Sequence, residues 1–244
     1  MGTPITRRTG IALAAAGAVA LLLVGATIGL LLSGRIGSSA AATTPVTDSV
    51  DAGFARDMIV HHDQGVLMAH YAELNTTDDE ISVMAYDIGA TQSDQAGQMK
   101  GWLSLWDLPE FSTGPHMAWM ADGGNGGHDM AGMATTSAAA TGAASSDPAS
   151  GSTGTDGALM PGMATDAQID QLRTARGEAS DILFLQLMIR HHQGGLPMME
   201  YAAQHAESTV VANFAAKMAD AQESEISVMT QMLAARGAQP LPAP

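Results

Sequence analysis

The stretches Phe54–Ala72, FARDMIVHHDQGVLMAHYA, and Phe184–Ala202, FLQLMIRHHQGGLPMMEYA, decide the fold of this chain. They align without a gap and share nine residues, among them the doublets His61-His62 and His191-His192. Agreement of this length at one fixed offset indicates an internal repeat. The fold must therefore accommodate the same element twice.

Six of the nine shared residues of each copy fall on one stripe of an α-helix, because their spacing alternates between four and three. The two stripes are Phe54, Met58, His61, Gly65, Met68 and Ala72, and Phe184, Met188, His191, Gly195, Met198 and Ala202. Stripes this apolar are expected to face a core. The second histidine of each doublet, His62 or His192, lies about 100° round the helix, at the edge of the stripe. Two copies packed face to face would bring four imidazoles together.

Each copy is followed by a short turn and a second amphipathic segment, so we expect two αα-hairpins. Neither hairpin can bury its stripe alone. The predicted fold is therefore all-α, a four-helix bundle of two repeated hairpins, with an N-terminal transmembrane helix. A long linker permits pairing within one chain or a swapped homodimer. The predicted organisation, in chain order, is a cytoplasmic N-terminus over 1–10, a transmembrane signal anchor over 11–32, a tether over 33–50, a first hairpin over 51–108, a disordered Met, His and Gly-rich linker over 109–165, a second hairpin with a short lead helix over 166–236, and a tail over 237–244.

The N-terminus predicts a membrane anchor. Residues 11–32 are uncharged and follow Arg7 and Arg8, and as a helix they would be roughly 30 Å long, enough to span a bilayer. The run exceeds the signal-peptide core of about 7–15 residues. Basic residues before the span place the C-terminal domain outside the cytoplasm. The alternative is cleavage near 38–42, which would give a secreted protein.

Composition limits the partners. A formal net charge of −15 argues against nucleic acid, whose phosphates require Lys and Arg. Cysteine is absent, so disulfides and thiolate metal sites are excluded. A metal ion bound here would use His, Met, Asp or Glu, and the chain holds 17 Met.

Imidazole and thioether groups at helical spacing are ligands for soft to borderline cations such as copper. Met58 precedes His61 and His62 by three and four residues, and Met188 stands in the same relation to the second doublet. The linker carries secondary metal candidates in punctuated clusters: His116, Met117 and Met120; His128, Met130 and Met133; Met160 and Met163. The alternative is structural, since core histidines are often satisfied by neighbours and core methionines often fill space.

Catalytic motifs are missing from the sequence. It has no Glu-x-x-His pair of the kind that di-iron bundles use, no His-Glu-x-x-His zinc motif and no Gly-rich phosphate loop. We therefore expect a protein without enzymatic turnover, and a metalloenzyme is the least favoured hypothesis.

The doubled Met-Ile-x-His-His, the lead-in Met160-Pro-Gly-Met163 and the segments Gln92–Leu103 and Gln222–Leu233 resemble the domain of unknown function 305 family. The resemblance implies a ferritin-like four-helix bundle and, for exported members, copper or silver binding. It implies these ligands: His61, His62, His191, His192, Met58, Met68, Met188 and Met198. The chain departs from the family pattern in its long linker and in Pro197, which is expected to kink the second repeat's first helix.

The leading hypothesis is a membrane-anchored extracytoplasmic protein that binds copper, as Cu(I), with Ag(I) as an analogue, and buffers it or passes it on. The alternative is a structural or partner-binding bundle with no metal role.

Overall fold

The computed structural model describes residues 44–121 and 157–244. These ranges contain five α-helices, one 3-10 turn and no strand, so the predicted all-α class is confirmed. The helices are α1, Val50–Asn75; α2, Asp79–Leu105; α3, Asp166–Thr174; α4, Glu178–His205; and α5, Thr209–Ala235. The 3-10 turn is Ala118–Met120. The predicted transmembrane run, 11–32, lies outside the described residues, and none of the described helices is long and apolar enough to cross a membrane.

Local sequence explains where the helices begin. The Ser49 hydroxyl caps α1 by accepting from the Ala52 amide, and the Asp78 carboxylate caps α2. Thr165 and Gln168 form a reciprocal capping box at the start of α3. Pro197 lies inside α4, which continues as one helix to His205.

Each repeat forms an antiparallel helical hairpin. In the first hairpin, α1 packs against α2, with Asp63 paired to Lys100 at 3.6 Å. In the second hairpin, α4 packs against α5 in the same manner. The hairpins contact each other through α1 and α4, so the two repeated stripes face one another.

Hydrogen bonds at both ends hold α1 against the second hairpin. The buried Asp51 carboxylate accepts from the Glu207 and Ser208 amides at 3.0 and 2.9 Å. At the other end of α1, the Asn75 carbonyl accepts from the Gly177 amide at 2.9 Å. Because each end of α1 meets the opposite end of α4, these two helices are antiparallel and cross near their middles.

The core consists of two apolar clusters, each built from both repeats. The first cluster includes Phe54, Met58 and Met198, and the second includes Met68, Phe184 and Met188. All six side chains are fully buried. Burial of one such side chain contributes about 1.5–3 kcal/mol, so the association of the hairpins is a large part of the folding free energy.

The ends of the predicted disordered linker, 109–165, lie against the helices. Trp119 is buried on Gly53, with its ring edge-on to Phe54 and Tyr201 at centroid distances of 6.1 and 5.6 Å. At the C-terminal end of the linker, residues 158–164 include four buried side chains that join the core. Residues 122–156 lie outside the described part of the chain.

Candidate metal centre

The two histidine doublets meet where α1 crosses α4. His61, His62, His191 and His192 are all fully buried. His62 and His192 were expected at the edge of the stripe. They are enclosed because the second helix of each hairpin covers that edge. The structure therefore brings both doublets into the interior.

The inner pair is His61 and His191. Their ring centroids are 3.8 Å apart and the planes are tilted by 32°. His191 Nε2 donates to the backbone carbonyl of His61 at 2.9 Å, and His61 Nε2 makes a longer contact, 3.4 Å, with the carbonyl of Pro161. The lead-in segment before α3 thus lies directly over the first repeat's imidazole.

The outer pair is held by the second helix of each hairpin. His62 Nε2 donates to Gln95 Oε1 at 2.8 Å, and His192 Nε2 donates to the Glu225 carboxylate at 2.7 Å. Both acceptors lie 33 residues after their histidine. Each doublet with its acceptor is one half-site, and the two half-sites are alike in geometry but differ in the charge of the acceptor.

These contacts fix the tautomer of every ring. Carbonyl and carboxylate oxygens only accept, so each Nε2 carries the proton and each Nδ1 keeps its lone pair. All four Nδ1 atoms are buried and have no hydrogen-bond partner among the described residues. A metal-bound imidazole has this arrangement, with one nitrogen free to ligate and the other N–H anchored to oxygen.

Burial also keeps the rings of His61, His62 and His191 neutral. Desolvation, reinforced by the His62 ring, lowers the pKa of His61 to about 3, and desolvation lowers the pKa of His62 to about 4. Desolvation and the neighbouring His61 lower the pKa of His191 well below its ordinary value. At neutral pH no proton competes for the lone pairs of these three rings.

The predicted thioether ligands lie on either side of the histidine layer. Met58 joins Met198 in the first cluster, and Met68 joins Met188 in the second. A further thioether, Met199, borders the same space beside Gly195 as His61: its methyl carbon and the His61 Cε1 are each 3.2 Å from the position that a Gly195 Cβ would take.

No ready-made cage exists in residues 44–121 and 157–244, where no group of three or more His, Asp or Glu side chains has a geometry that could hold a metal ion. The donor set nevertheless fits copper, because neutral imidazole is a ligand for both of its common oxidation states.

The secondary metal-ligand candidates of the linker lie in different surroundings. His116 donates through Nδ1 to Asp57 at 2.6 Å, which ties this ring to α1. Met160 and Met163 are buried in the first cluster, and Met117 and Met120 are half-buried against it. Burial among apolar side chains gives these four methionines a packing role that the linker interpretation did not include. His128, Met130 and Met133 lie outside the described residues.

Comparison with known proteins places this helical arrangement in a family. The sequence profile described as domain of unknown function, DUF305, matches residues 51–233. The chain belongs to the DUF305 family.

Solved structures show the same fold. A DUF305 protein from Streptomyces coelicolor that is thought to be secreted is 38% identical, with a TM-score of 0.64, 80% of this chain covered and 99% of the other. A DUF305 fragment from Deinococcus radiodurans is 24% identical, with a TM-score of 0.55 over 76% of this chain and 96% of the other. CopM in its Cu(II)-bound form is 23% identical, with a TM-score of 0.50 over 77% of this chain and 97% of the other. No protein of curated function matches the chain.

In this DUF305 chain, sequence reasoning identified the imidazoles but missed their oxygen partners. Neither Gln95 nor Glu225 was among the predicted site residues. The signal was the shared interval of 33 residues after each doublet, read across two antiparallel helices. Met199 carried no repeat signal, because Ala69 occupies the matching position.

Proposed function

We propose that this DUF305 chain is a copper-binding protein that holds the ion between α1 and α4, and buffers it or passes it on. The observation that supports this most strongly is the set of four buried, unpartnered Nδ1 lone pairs. A buried polar atom without a partner costs about 1–3 kcal/mol, so four in one layer disfavour an empty site. A bound cation would remove that penalty.

The ligands proposed are the imidazoles of His61, His62, His191 and His192. The thioethers of Met58, Met68, Met188 and Met198, on either side of the histidine layer, are proposed as donors for Cu(I). The fixed Nε2–H bonds would orient the rings, and the low pKa of His61 and His62 would keep them available down to mildly acidic pH. The fold likeness to CopM, a protein seen with Cu(II), is consistent with this choice of metal.

The surrounding architecture is part of the proposal. We propose that the four long helices form a ferritin-like four-helix bundle, closed within one chain by the contact between α1 and α4. Residues 11–32 would anchor it in the cytoplasmic membrane, with the bundle outside the cytoplasm. The Streptomyces relative that is thought to be secreted supports an extracytoplasmic location. Cleavage near 38–42 and a homodimer are the alternatives to the anchor and to the single-chain bundle.

A second function, a partner-binding bundle without metal, is favoured by one observation. The inner rings are already hydrogen-bonded to backbone carbonyls, as structural core histidines often are. Such a bundle would need its histidines for stability alone.

Copper binding by the purified full chain separates the two functions. The wild type is expected to retain copper after desalting, whereas a variant with all four doublet histidines changed to Gln is expected to lose it. Histidines 70 and 205 are exposed and provide the control: His70→Gln with His205→Gln should retain copper as the wild type does. Equal copper in the wild type and the four-histidine variant would refute the metal proposal and favour the structural one.

A further inference from the structure

Two buried glutamines face the helices that carry the imidazoles. Gln92 on α2 is 2% exposed and Gln222 on α5 is 3% exposed. Both amide atoms of Gln92, and Oε1 of Gln222, have no hydrogen-bond partner among the described residues. Leu or Met at these core positions would avoid the free-energy cost of burying unpaired polar atoms, so packing alone does not explain the two buried amides.

A glycine in the facing helix makes room for each amide. A Cβ on Gly65 of α1 would collide with Gln92 Oε1. On the opposite side, Gln222 Oε1 is 3.6 Å and His61 Cε1 is 3.2 Å from the position that a Gly195 Cβ would take. Gln222 Oε1 and the His61 ring of the other hairpin therefore flank the same space beside Gly195. Glycine inside a helix lowers stability by about 0.5–1 kcal/mol relative to Ala, and here it opens space for a polar group.

The glutamines follow the repeat. Gln92 and Gln222 are separated by the same interval as the histidines, and each lies 30 residues after the second histidine of its own doublet. Each hairpin thus supplies the same group to the layer: two imidazoles and one amide. By contrast, the acceptor beyond each outer histidine differs between the hairpins, Gln95 in one and Glu225 in the other.

We propose that the side-chain oxygens of Gln92 and Gln222 are ligands of the metal ion held between the hairpins. This inference rests on the proposed copper function and adds the two oxygen donors that α2 and α5 contribute. A mixed imidazole and amide-oxygen set is harder than a thioether set, so at this layer it favours Cu(II) over Cu(I). The layer therefore takes a divalent cation of borderline character.

Titration of the full chain with CuCl2, followed by electron paramagnetic resonance, tests this assignment. Changing both Gln92 and Gln222 to Leu should weaken Cu(II) binding by about 10-fold or more, by analogy with the loss of groups that support a metal site. The resonance spectrum of the remaining bound Cu(II) should change as well, because oxygen donors have been lost. Gln98→Leu is the matched control, since Gln98 is exposed on the same helix and bonds only Asp94 in the structure.

A second variant guards against a folding defect. Gly65→Ala adds a methyl group that must displace the Gln92 amide, while alanine raises helix propensity. Its effect on Cu(II) affinity and on the resonance spectrum should be half that of the double Leu variant, and its helical circular dichroism should be unaltered. Wild-type affinity and an unchanged spectrum in both the Leu variant and Gly65→Ala would overturn the ligand role and leave copper binding by histidine intact. A wild type that binds no Cu(II) would overturn this ligand assignment, whereas copper retention by the wild type and the four-histidine variant decides the proposed function separately.

Discussion

Acidification is expected to destabilise the metal-free protein through the histidines buried between α1 and α4. In the unfolded chain a histidine has a pKa near 6.5, whereas burial lowers the pKa of His61 to about 3 and of His62 to about 4. Between these values the unfolded state binds a proton that the folded state does not. The stability that these neutral rings contribute is therefore fully present above about pH 6.5, and it is lost as the pH falls toward the folded-state pKa values.

The size of the effect follows from this difference. At pH 5.5 an unfolded histidine is about ten-elevenths protonated, and each neutral buried ring then lowers the free energy of unfolding by about 1.4 kcal/mol. His61, His62 and His191, the three rings with a lowered pKa, together lower it by about 4 kcal/mol. Urea denaturation in chelator-treated buffer at pH 7.5 and pH 5.5 measures the difference.

Two variants show whether the buried rings are the cause. His62→Gln removes one titrating ring, so its loss of stability between the two pH values should be smaller than that of the wild type by about 1.4 kcal/mol. His70→Gln should leave the wild-type loss unchanged, because His70 is exposed. Equal stability of the wild type at the two pH values, or the same loss in His62→Gln, would show that these rings titrate as exposed histidines do, and the reasoning from burial would be refuted.

Two further substitutions test the contacts around the layer. Gly194→Ala would push its methyl group into the Pro161 carbonyl, a backbone group with no freedom to yield, and should destabilise the protein by roughly 1–3 kcal/mol in urea denaturation. Gly97→Ala, at a helical site with open space, should instead stabilise it by about 0.5–1 kcal/mol, and similar effects of the two changes would contradict the close approach. Glu225→Gln makes the second half-site resemble the first and should weaken Cu(II) binding about 10-fold, because a carboxylate acceptor raises the basicity of its imidazole. Gln95→Glu should strengthen binding in the same competition assay, and no change in either variant would mean that the acceptor's charge is irrelevant.

The helices were predictable from sequence because periodicity and capping act locally. The predicted hairpins, 51–108 and 166–236, contain all five described α-helices except for Val50 at the start of α1. The capping box at Thr165 is a local signal of the same kind, since both of its bonds lie within four residues. The burial of the repeated stripe followed from its apolar character, and the structure shows the two stripes facing each other.

The parts that sequence reasoning missed depend on contacts between distant segments. Nothing near Pro161 indicates that its carbonyl reaches His61, 100 residues earlier in the chain. The Gly, Ala and Ser content of the linker suggested disorder, yet Trp119 and Met160 lie in the core. Gly53 of α1 leaves space for Trp119, and Gly194 of α4 leaves space for the backbone of Pro161 and Gly162. The acceptors Gln95 and Glu225 are polar residues on amphipathic helices, and only the pairing of helices identifies them as site residues.

Trp119 has a practical consequence. Its indole N–H donates to Asp57 at 2.8 Å, and its ring touches Phe54 of the first repeat and Tyr201 of the second. Separation of the two hairpins would release this indole into water and shift its fluorescence emission to longer wavelength. The emission wavelength of Trp119 thus reports whether the two hairpins are in contact, and it can be measured at micromolar concentration without a label.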